Sequence, residues 1–397
     1  MSPIRLAIVS THPVQYNAPV FRCLAASGSV VPRVFYTWSQ TENGEVDDRE
    51  FGATVRWDVP LLSGYDFEFV RNVARNPGRG FLGIRTPGLP RAIDRWNCDA
   101  LLVYGWNVAA HLGALRRFHR RVPVFFRGDS TLLDPGSPAK RALRRAVLGA
   151  VYRNVDVALA VGRNNADYFA WCGLPAERIA LAPHSIDVSR FAAQPAARQA
   201  EALAWRRRLG IPDDGVAVLF AGKLIAKKAP ERLLSSFLGR ERGLHLVIAG
   251  TGELEPALRA ATAGRSDVHF LGFQNQSAMP SVYRLADLFV LPSVGPGETW
   301  GLALNEAMAT GRAVAASSRV GGARDLVDEG RNGWTFAAGD DAALSRVLDG
   351  AAQLGREGLQ RMGRAGAAMA AHWSSEESAQ RIAAAVCARV SRSAVSH

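Results

Sequence analysis

Short, continuous apolar runs recur along the chain, and each empties into a polar or Gly/Pro-containing loop followed by a segment whose apolar residues fall at helical spacing. Runs of this kind are strands buried on both faces, and their alternation with helices predicts a parallel, doubly wound α/β sheet. The rhythm occurs twice. One series has strands at 4–9, 30–36, 100–104, 123–127, 157–161 and 179–182; the other has strands at 216–220, 245–249, 268–271, 288–291, 313–316 and 333–336. Between them, 192–208 is rich in Ala, Gln and Arg, carries no strand pattern and reads as the connection and an opening helix. At 397 residues the chain exceeds one comfortable hydrophobic core. The expected division is a first domain over 1–190, a connection over 191–215, a second domain over 216–372 and a final helical segment over 373–397. The stretch from about 37 to 88 is polar and irregular apart from one expected strand at 54–59, and long irregular segments are usually functional loops.

In open parallel sheets the loops at the carboxyl ends of strands line the ligand crevice. The first strand leads into His12, Gln15, Tyr16 and Asn17, with no glycine-rich turn. The strand at 123–127 ends in Arg127-Gly128-Asp129, a pair that either bridges internally or faces a ligand. In the second series, Gly222 and Lys223 begin a loop that ends at Lys228, and two ammonium groups there suit a diphosphate. The segment LPSVGPGETWGLALNEAMATG, 291–311, reads as a strand end, a Pro/Gly loop and a helix starting near Trp300 that buries Leu304, Ala307 and Met308. The amides of Thr299, Trp300, Gly301 and Leu302 at such a helix start offer unpaired donors and a partial positive charge to a phosphate, and Gly301 permits close approach. Glu298 precedes the helix and Glu306 lies two turns inside it, at a distance suiting a ribose diol. Acidic residues near helix starts are often only caps; it is the combination that describes a nucleotide-diphosphate cradle.

The formal charge of +12 is unevenly spread, with 24 Lys and Arg against 16 Asp and Glu up to Pro195 and 24 against 20 beyond it. Helical placement of 138–152 sets Lys140 and Arg144, and Arg141 and Arg145, one turn apart beside Leu143, Val147 and Leu148. This basic amphipathic stretch is either a solvated face or a surface for anionic lipid headgroups or an acidic acceptor. No nucleic-acid motif accompanies it, so nucleic acid is not an expected partner. Four scattered cysteines give neither a zinc pattern nor a disulfide framework. There is no Asp-x-Asp triplet or His/Cys cluster for a metal. The amino terminus enters a strand without a signal-peptide pattern, and no apolar run approaches the ~20 residues that span a bilayer. The expectation is a cytoplasmic protein that touches the inner membrane face.

The segments AGKLIAKKAPERLLSSF, VIAGTGELEPAL, VHFLGF, YRLADLFVLPS, ETWGLALNEAMATGRAV and GGARDLVDEGRNG, in this order and spacing over 216–336, resemble the nucleotide-binding domain of family 4, or group 1, glycosyltransferases. The resemblance implies the GT-B fold: two Rossmann-like β/α/β domains facing a central cleft, the first binding the acceptor and the second the nucleotide sugar. It further implies retaining, metal-independent transfer from a nucleoside-diphosphate sugar to a sugar or lipid-linked acceptor in cell-surface polysaccharide or glycolipid synthesis, with no separate cofactor. Residue by residue, Lys223 takes a place usually held by Arg and Lys228 that of the diphosphate-binding Lys. Glu298 is matched to the group holding donor-sugar hydroxyls, Glu306 to the ribose contact, Thr299, Trp300, Gly301 and Leu302 to the phosphate amides, and Phe273 to the base contact, with Gly222 in the same donor loop. The first half departs from the family. A Gly-Gly loop and a later His are replaced by the stretch from His12 to Asn17 and by Arg127-Gly128-Asp129, and the common Asn-Gly-Val-Asp by His184-Ser185-Ile186-Asp187. His12, Arg127 and Asp129 are thus the catalytic candidates on that side, with Gln15, Tyr16 and Asn17 for the acceptor. A nucleotide-sugar epimerase and a non-catalytic sugar-nucleotide-binding module are the rival readings.

Overall fold

The structure, a computed structural model, describes residues 3–42, 45–48, 53–78, 80–134, 136–240 and 243–395. It comprises two compact units, one made of Met1–Val46, Pro60–Ser185 and Ser375–His397, the other of Asp47–Val59 and Ile186–Ser374.

The first unit carries a seven-stranded sheet in the order Asp66–Phe69, Val30–Tyr36, Ile4–Ser10, Ala100–Tyr104, Val124–Arg127, Val157–Ala160, Ile179–Leu181, with every pair parallel. Ala7, Val9, Leu101 and Val103 feed one buried cluster, while Leu6, Ile8, Ala100 and Leu102 feed the other. Both faces are covered, which is why the strands read as unbroken apolar runs rather than alternating ones. The last helix, Ser375–Val395, packs beside Asn17–Ala26 and buries Ala379, Ile382 and Val386 in the second of these clusters. The chain's end therefore completes the first unit.

The second unit carries six parallel strands in the order Val268–Gly272, Leu244–Ala249, Val216–Ala221, Leu288–Leu291, Ala313–Ser317, Gly333–Phe336. In each unit the strand order reverses beside the first strand of its series. The two switch points lie between Ile4–Ser10 and Ala100–Tyr104, and between Val216–Ala221 and Leu288–Leu291. Ligands of open α/β sheets bind outside the carboxyl ends of such strand pairs.

Several expectations need correction. The boundary falls after Ser185 rather than at 190. The opening helix expected within 192–208 is Pro195–Arg208, and it is integral to the second unit rather than part of a connection, because Arg206 reaches into that unit's core. Arg206 Nη1 donates to Asp287 Oδ2 at 3.1 Å and to the Leu285 carbonyl at 3.0 Å. Asp287 Oδ2 also accepts from the Ala217 amide at 2.9 Å, and its Oδ1 from Arg356 Nε at 3.1 Å. The strand expected at 54–59 is Ala53–Arg56. Asp66–Phe69 was not expected, since its charged residues suit only a sheet edge, where Arg33 Nε meets Asp66 at 2.6 Å. Asp341–Ala370 comprises two helices separated at Gly355, whose φ of 60° breaks the helical backbone. Among the described residues, no helix is long and apolar enough to cross a membrane.

Candidate active site

At the switch point of the second unit, the loop after Val216–Ala221 and the loop after Leu288–Leu291 are tied together by the Val294 amide, which donates to the Lys227 carbonyl at 2.9 Å. Across this seam Lys228 Nζ meets Glu298 Oε2 at 2.5 Å, and Ser293 Oγ donates to the same oxygen at 3.0 Å. Glu298 is buried, while the Lys228 side chain keeps 18 % exposure. The carboxylate thus sits with a neutralising cation that a more acidic ligand could recruit.

The helix that follows starts at Leu302, not near Trp300, because Gly301 adopts a left-handed φ of 89° as its cap. A Cβ on Gly301 would lie 2.7 Å from Val320 Cγ1 and 2.8 Å from Leu291 Cδ2, and 3.8 Å from Glu298 Oε1. The Glu298 carboxylate therefore lies against the positive end of this helix. Trp300 is core: its ring stacks 5.1 Å from Trp373, and Nε1 donates to Asn305 at 2.9 Å. Only its main chain is left for a ligand. The Gly321 amide donates to the Glu298 carbonyl at 3.0 Å and the Gly322 amide to that of Trp300 at 2.8 Å. A Cβ on Gly321 would stand 1.8 Å from the Thr299 carbonyl oxygen. The paired glycines are what let this backbone clamp the loop.

Glu306 is 3 % exposed, and its Oε2 accepts from the Tyr283 hydroxyl at 2.6 Å. Tyr283 orients the carboxylate, a role that sequence reading missed although the residue sits in YRLADLFVLPS. The Lys223 loop is held by the Gly222 amide on the Ala249 carbonyl and the Leu224 amide on that of Thr251, each at 2.9 Å. A Cβ on Gly250 would fall 1.9 Å from the Gly222 oxygen, which accounts for the glycines of VIAGTGELEPAL. Phe273 is 38 % exposed after the positive-φ Gly272. The loop beyond it is braced by Asp58, whose Oδ1 accepts from the Ser277 amide at 3.0 Å, and by Asn275 Nδ2, which donates to the Arg56 carbonyl at 2.9 Å. Asp58 is a second residue that local pattern could not reveal, since it comes from 219 positions away.

In the first unit, His12, Gln15, Tyr16 and Asn17 are half-buried at the switch point. His12 Nδ1 contacts Thr11 Oγ1 at 2.9 Å and its ring meets Trp38 edge-on. Tyr16 caps the helix that Asn17 begins. Arg127 is buried and its terminal nitrogens donate to the Ala182 and Pro183 carbonyls at 2.7 and 3.0 Å. It fixes the turn that presents His184, so its guanidinium serves the chain's own carbonyls rather than a reacting group. Burial first, then the Arg127 charge, push the His184 imidazole down to about 4, with Asp129 opposing them. His111, also missed from sequence, has Nδ1 2.9 Å from the Tyr104 carbonyl and Nε2 2.9 Å from Thr37 Oγ1. Nδ1 carries a proton to meet a carbonyl, and burial pushes the imidazole down to about 4, which keeps the ring neutral at pH 7.

This has a consequence for stability. Between the ordinary histidine value of 6.5 and the folded value of about 4, the unfolded chain binds protons that the folded chain refuses. The stabilisation is therefore complete above pH 6.5 and is lost as pH falls toward 4. The melting temperature should decline steadily over that window and decline less in His111→Gln; identical profiles for the two proteins would contradict the assignment.

Two family models match the chain: "Glycosyl transferase 4-like domain" over residues 14–185 and "Glycosyl transferases group 1" over residues 202–369. An uncharacterized glycosyltransferase of Methanocaldococcus jannaschii is 34% identical over 37% of this chain and 40% of its own length. A D-inositol 3-phosphate glycosyltransferase of Acidothermus cellulolyticus is 32% identical over 54% of this chain and 50% of its own length. The chain thus spans about half the length, or less, of these curated relatives. Among solved structures, Anabaena HepE in complex with UDP superposes with a TM-score of 0.73 at 17% identity, covering 97% of this chain and 100% of that one. That likeness establishes the fold.

Proposed function

Because the chain belongs to the group 1 glycosyl transferases and has their GT-B fold, we propose that it transfers a sugar, with retention of configuration, from a nucleoside-diphosphate sugar to a sugar or lipid-linked acceptor. The observation that carries this reading is the Lys228–Glu298 pair set against a glycine-capped helix start at the switch point. HepE's solved structures hold UDP and UDP-glucose, which supports a donor of that class.

As the bond between sugar and diphosphate breaks, negative charge grows on the leaving group and positive charge on the sugar. Lys223, Lys228 and the amides of Thr299, Trp300, Gly301 and Leu302 stabilise the former, and they are in place before the reaction begins. Glu298, released from Lys228 by the incoming phosphate, holds sugar hydroxyls, and Glu306, aimed by Tyr283, holds the ribose. An oxygen of the departing diphosphate takes the acceptor's proton, so no separate base is required. His12 and Asp129 are the side chains to examine on the acceptor side, with Gln15, Tyr16 and Asn17 nearby in the same unit. None of this chemistry requires a metal. Incubation with a panel of nucleotide sugars and acceptors tests the reading. Acceptor-dependent release of nucleoside diphosphate supports it; an epimer formed without acceptor, or binding without turnover, would replace it by an epimerase or a binding module.

The setting we propose is cell-surface polysaccharide or glycolipid synthesis on the inner face of a membrane. Residues 140–147 of the helix Pro138–Tyr152 are all exposed, with Leu143 at 67% and Val147 at 48% among Lys140, Arg141, Arg144 and Arg145. Each basic group near an anionic surface is worth about 1 kcal/mol. Replacing these four by Gln should therefore lower partition onto anionic vesicles on the order of 10²–10³-fold at low salt; undiminished sedimentation with vesicles would refute this contact.

A further inference from the structure

The loop between the strand Asp66–Phe69 and the helix Leu89–Trp96 presents bulky apolar side chains to solvent on a rigid frame. Phe81 is 46% exposed, Leu82 66% and Val73 50%. The frame is built by Asn72, which is buried: its Nδ2 donates to the Gly83 carbonyl at 3.0 Å, and its Oδ1 accepts from the Arg85 and Ala74 amides at 2.8 and 3.1 Å. Its own amide donates to Ser39 Oγ at 3.0 Å. The tip is closed by the Gly83 amide on the Gly80 carbonyl at 2.9 Å, and a Cβ on Gly83 would lie 2.4 Å from the Gly78 oxygen. The Ala109 amide donates to the Phe81 carbonyl at 2.9 Å, which seats the tip at the start of the helix following Ala100–Tyr104, on the carboxyl edge of the sheet. Val70 and Ile84 anchor the base in the core.

A loop held this firmly does not expose Phe and Leu for want of structure. The charges along this stretch are of one sign: between Glu68 and Asp94 the sequence has Arg71, Arg75, Arg79, Arg85 and Arg91 and no acidic residue, and Arg71, Arg75 and Arg85 are exposed. We propose that this tip inserts Phe81 and Leu82 into the surface of an anionic bilayer, with Arg71, Arg75 and Arg85 at the level of the lipid phosphates. It is a second membrane contact, distinct in kind from the basic helix at 138–152. Apolar insertion resists salt, whereas attraction between exposed charges is screened beyond a Debye length of about 10 Å at 0.1 M. The inference rests on the reading above only for the class of partner, and no transfer step enters its test.

The test is sedimentation with mixed phosphatidylglycerol and phosphatidylcholine vesicles at about 0.1 M and about 0.5 M salt, comparing wild type, Phe81→Ser/Leu82→Ser, and the four-residue Gln variant of the basic helix. Wild type should keep a salt-resistant bound fraction, the helix variant should keep that fraction too, and the double Ser variant should lose it, with partition down about tenfold or more. The swap Phe81→Leu/Leu82→Phe should bind as wild type does, showing that apolar bulk is what matters. Equal binding of the double Ser variant and wild type overturns the proposal, as does absence of any salt-resistant fraction in wild type. Concentration-dependent dimerisation that the Ser variant abolishes would overturn it in favour of a second copy as occupant. Thermal shift with nucleoside diphosphates, run on the same proteins, should be unaffected by the Ser substitutions. Loss of that shift in wild type would count against the transferase reading while leaving the vesicle result standing.

Discussion

Lys228→Ala and Glu306→Ala should each abolish measurable transfer, with losses of about 10²–10³-fold or more, the range seen when one preorganised stabilising donor is removed. The two losses should differ in kind. On the proposed mechanism Lys228 meets charge that grows as the leaving group departs, so its removal should fall chiefly on kcat. On the same proposal Glu306 holds a part of the donor that does not react, so its removal should fall chiefly on KM for the donor. Neither variant should unfold the chain: the Lys228 side chain keeps 18 % exposure, and loss of the Glu306 carboxylate takes one acceptor from the buried Tyr283 hydroxyl, a cost of about 1–3 kcal/mol. Both variants should still melt cooperatively, and Lys228→Arg should recover part of the activity because the charge is kept while its geometry changes. Wild-type turnover in both alanine variants would remove the assignment.

Asp287→Ala should produce the largest loss of stability, about 3–5 kcal/mol, the usual cost of breaking a buried ion pair by removing one partner. Arg206 and Asp287 have side chains 1% exposed. Without the carboxylate, the guanidinium keeps only carbonyl partners, at Leu285, Pro212 and Gly215, and its charge is left uncompensated. The Ala217 amide and Arg356 lose an acceptor at the same time. For a unit of this size each kcal/mol moves the melting temperature by about 2–4 °C, so a fall of roughly 10 °C is expected by calorimetry. Asp287→Asn, which retains an acceptor without the charge, should lie between. A shift of less than about 2 °C for Asp287→Ala would show that the network is not what joins the helix Pro195–Arg208 to its sheet.

These two predictions also mark what the sequence could and could not reveal. Buried parallel strands announce themselves through unbroken apolar runs, so the two sheets were legible nearly strand by strand. The exception, Asp66–Phe69, is an edge strand whose exposed positions accept charge. The grouping of the residues proposed for the donor was legible because it is local: Lys223, Lys228, Glu298 and Glu306 all lie on the two loops, or the helix after them, that leave one switch point. What stayed hidden depends on partners distant in the chain. The carbonyls that occupy Arg127 lie 55 and 56 positions away, and Asp287 reads as an ordinary turn acid until Arg206 is placed beside it. Trp300 looks like a ligand contact from its position after Glu298, yet a large indole against Trp373 and Asn305 gains more from burial than from exposure. Asn72 likewise gives no signal in a stretch of Gly, Pro and Arg, although it organises the whole loop around it.

The same reasoning bounds the first unit. The imidazole of His111 and the guanidinium of Arg127 are buried at the carboxyl edge of its sheet, and their contacts with carbonyls show them stiffening loops. The side chains we propose for the acceptor are those of the 12–17 loop and Asp129. Substituting His12 and Asp129 one at a time, with activity followed against pH, separates a proton acceptor from a group that only binds.

If the two loops at the second unit's switch point hold the diphosphate of a nucleotide sugar, calorimetric titration of nucleoside diphosphates into wild type and Lys228→Ala will reveal it. At least one nucleoside diphosphate should bind wild type at a single site, and Lys228→Ala should weaken it by roughly tenfold or more, the scale of one charge-assisted contact. Equal affinity for the two proteins, or no binding of any nucleoside diphosphate to wild type, would contradict it.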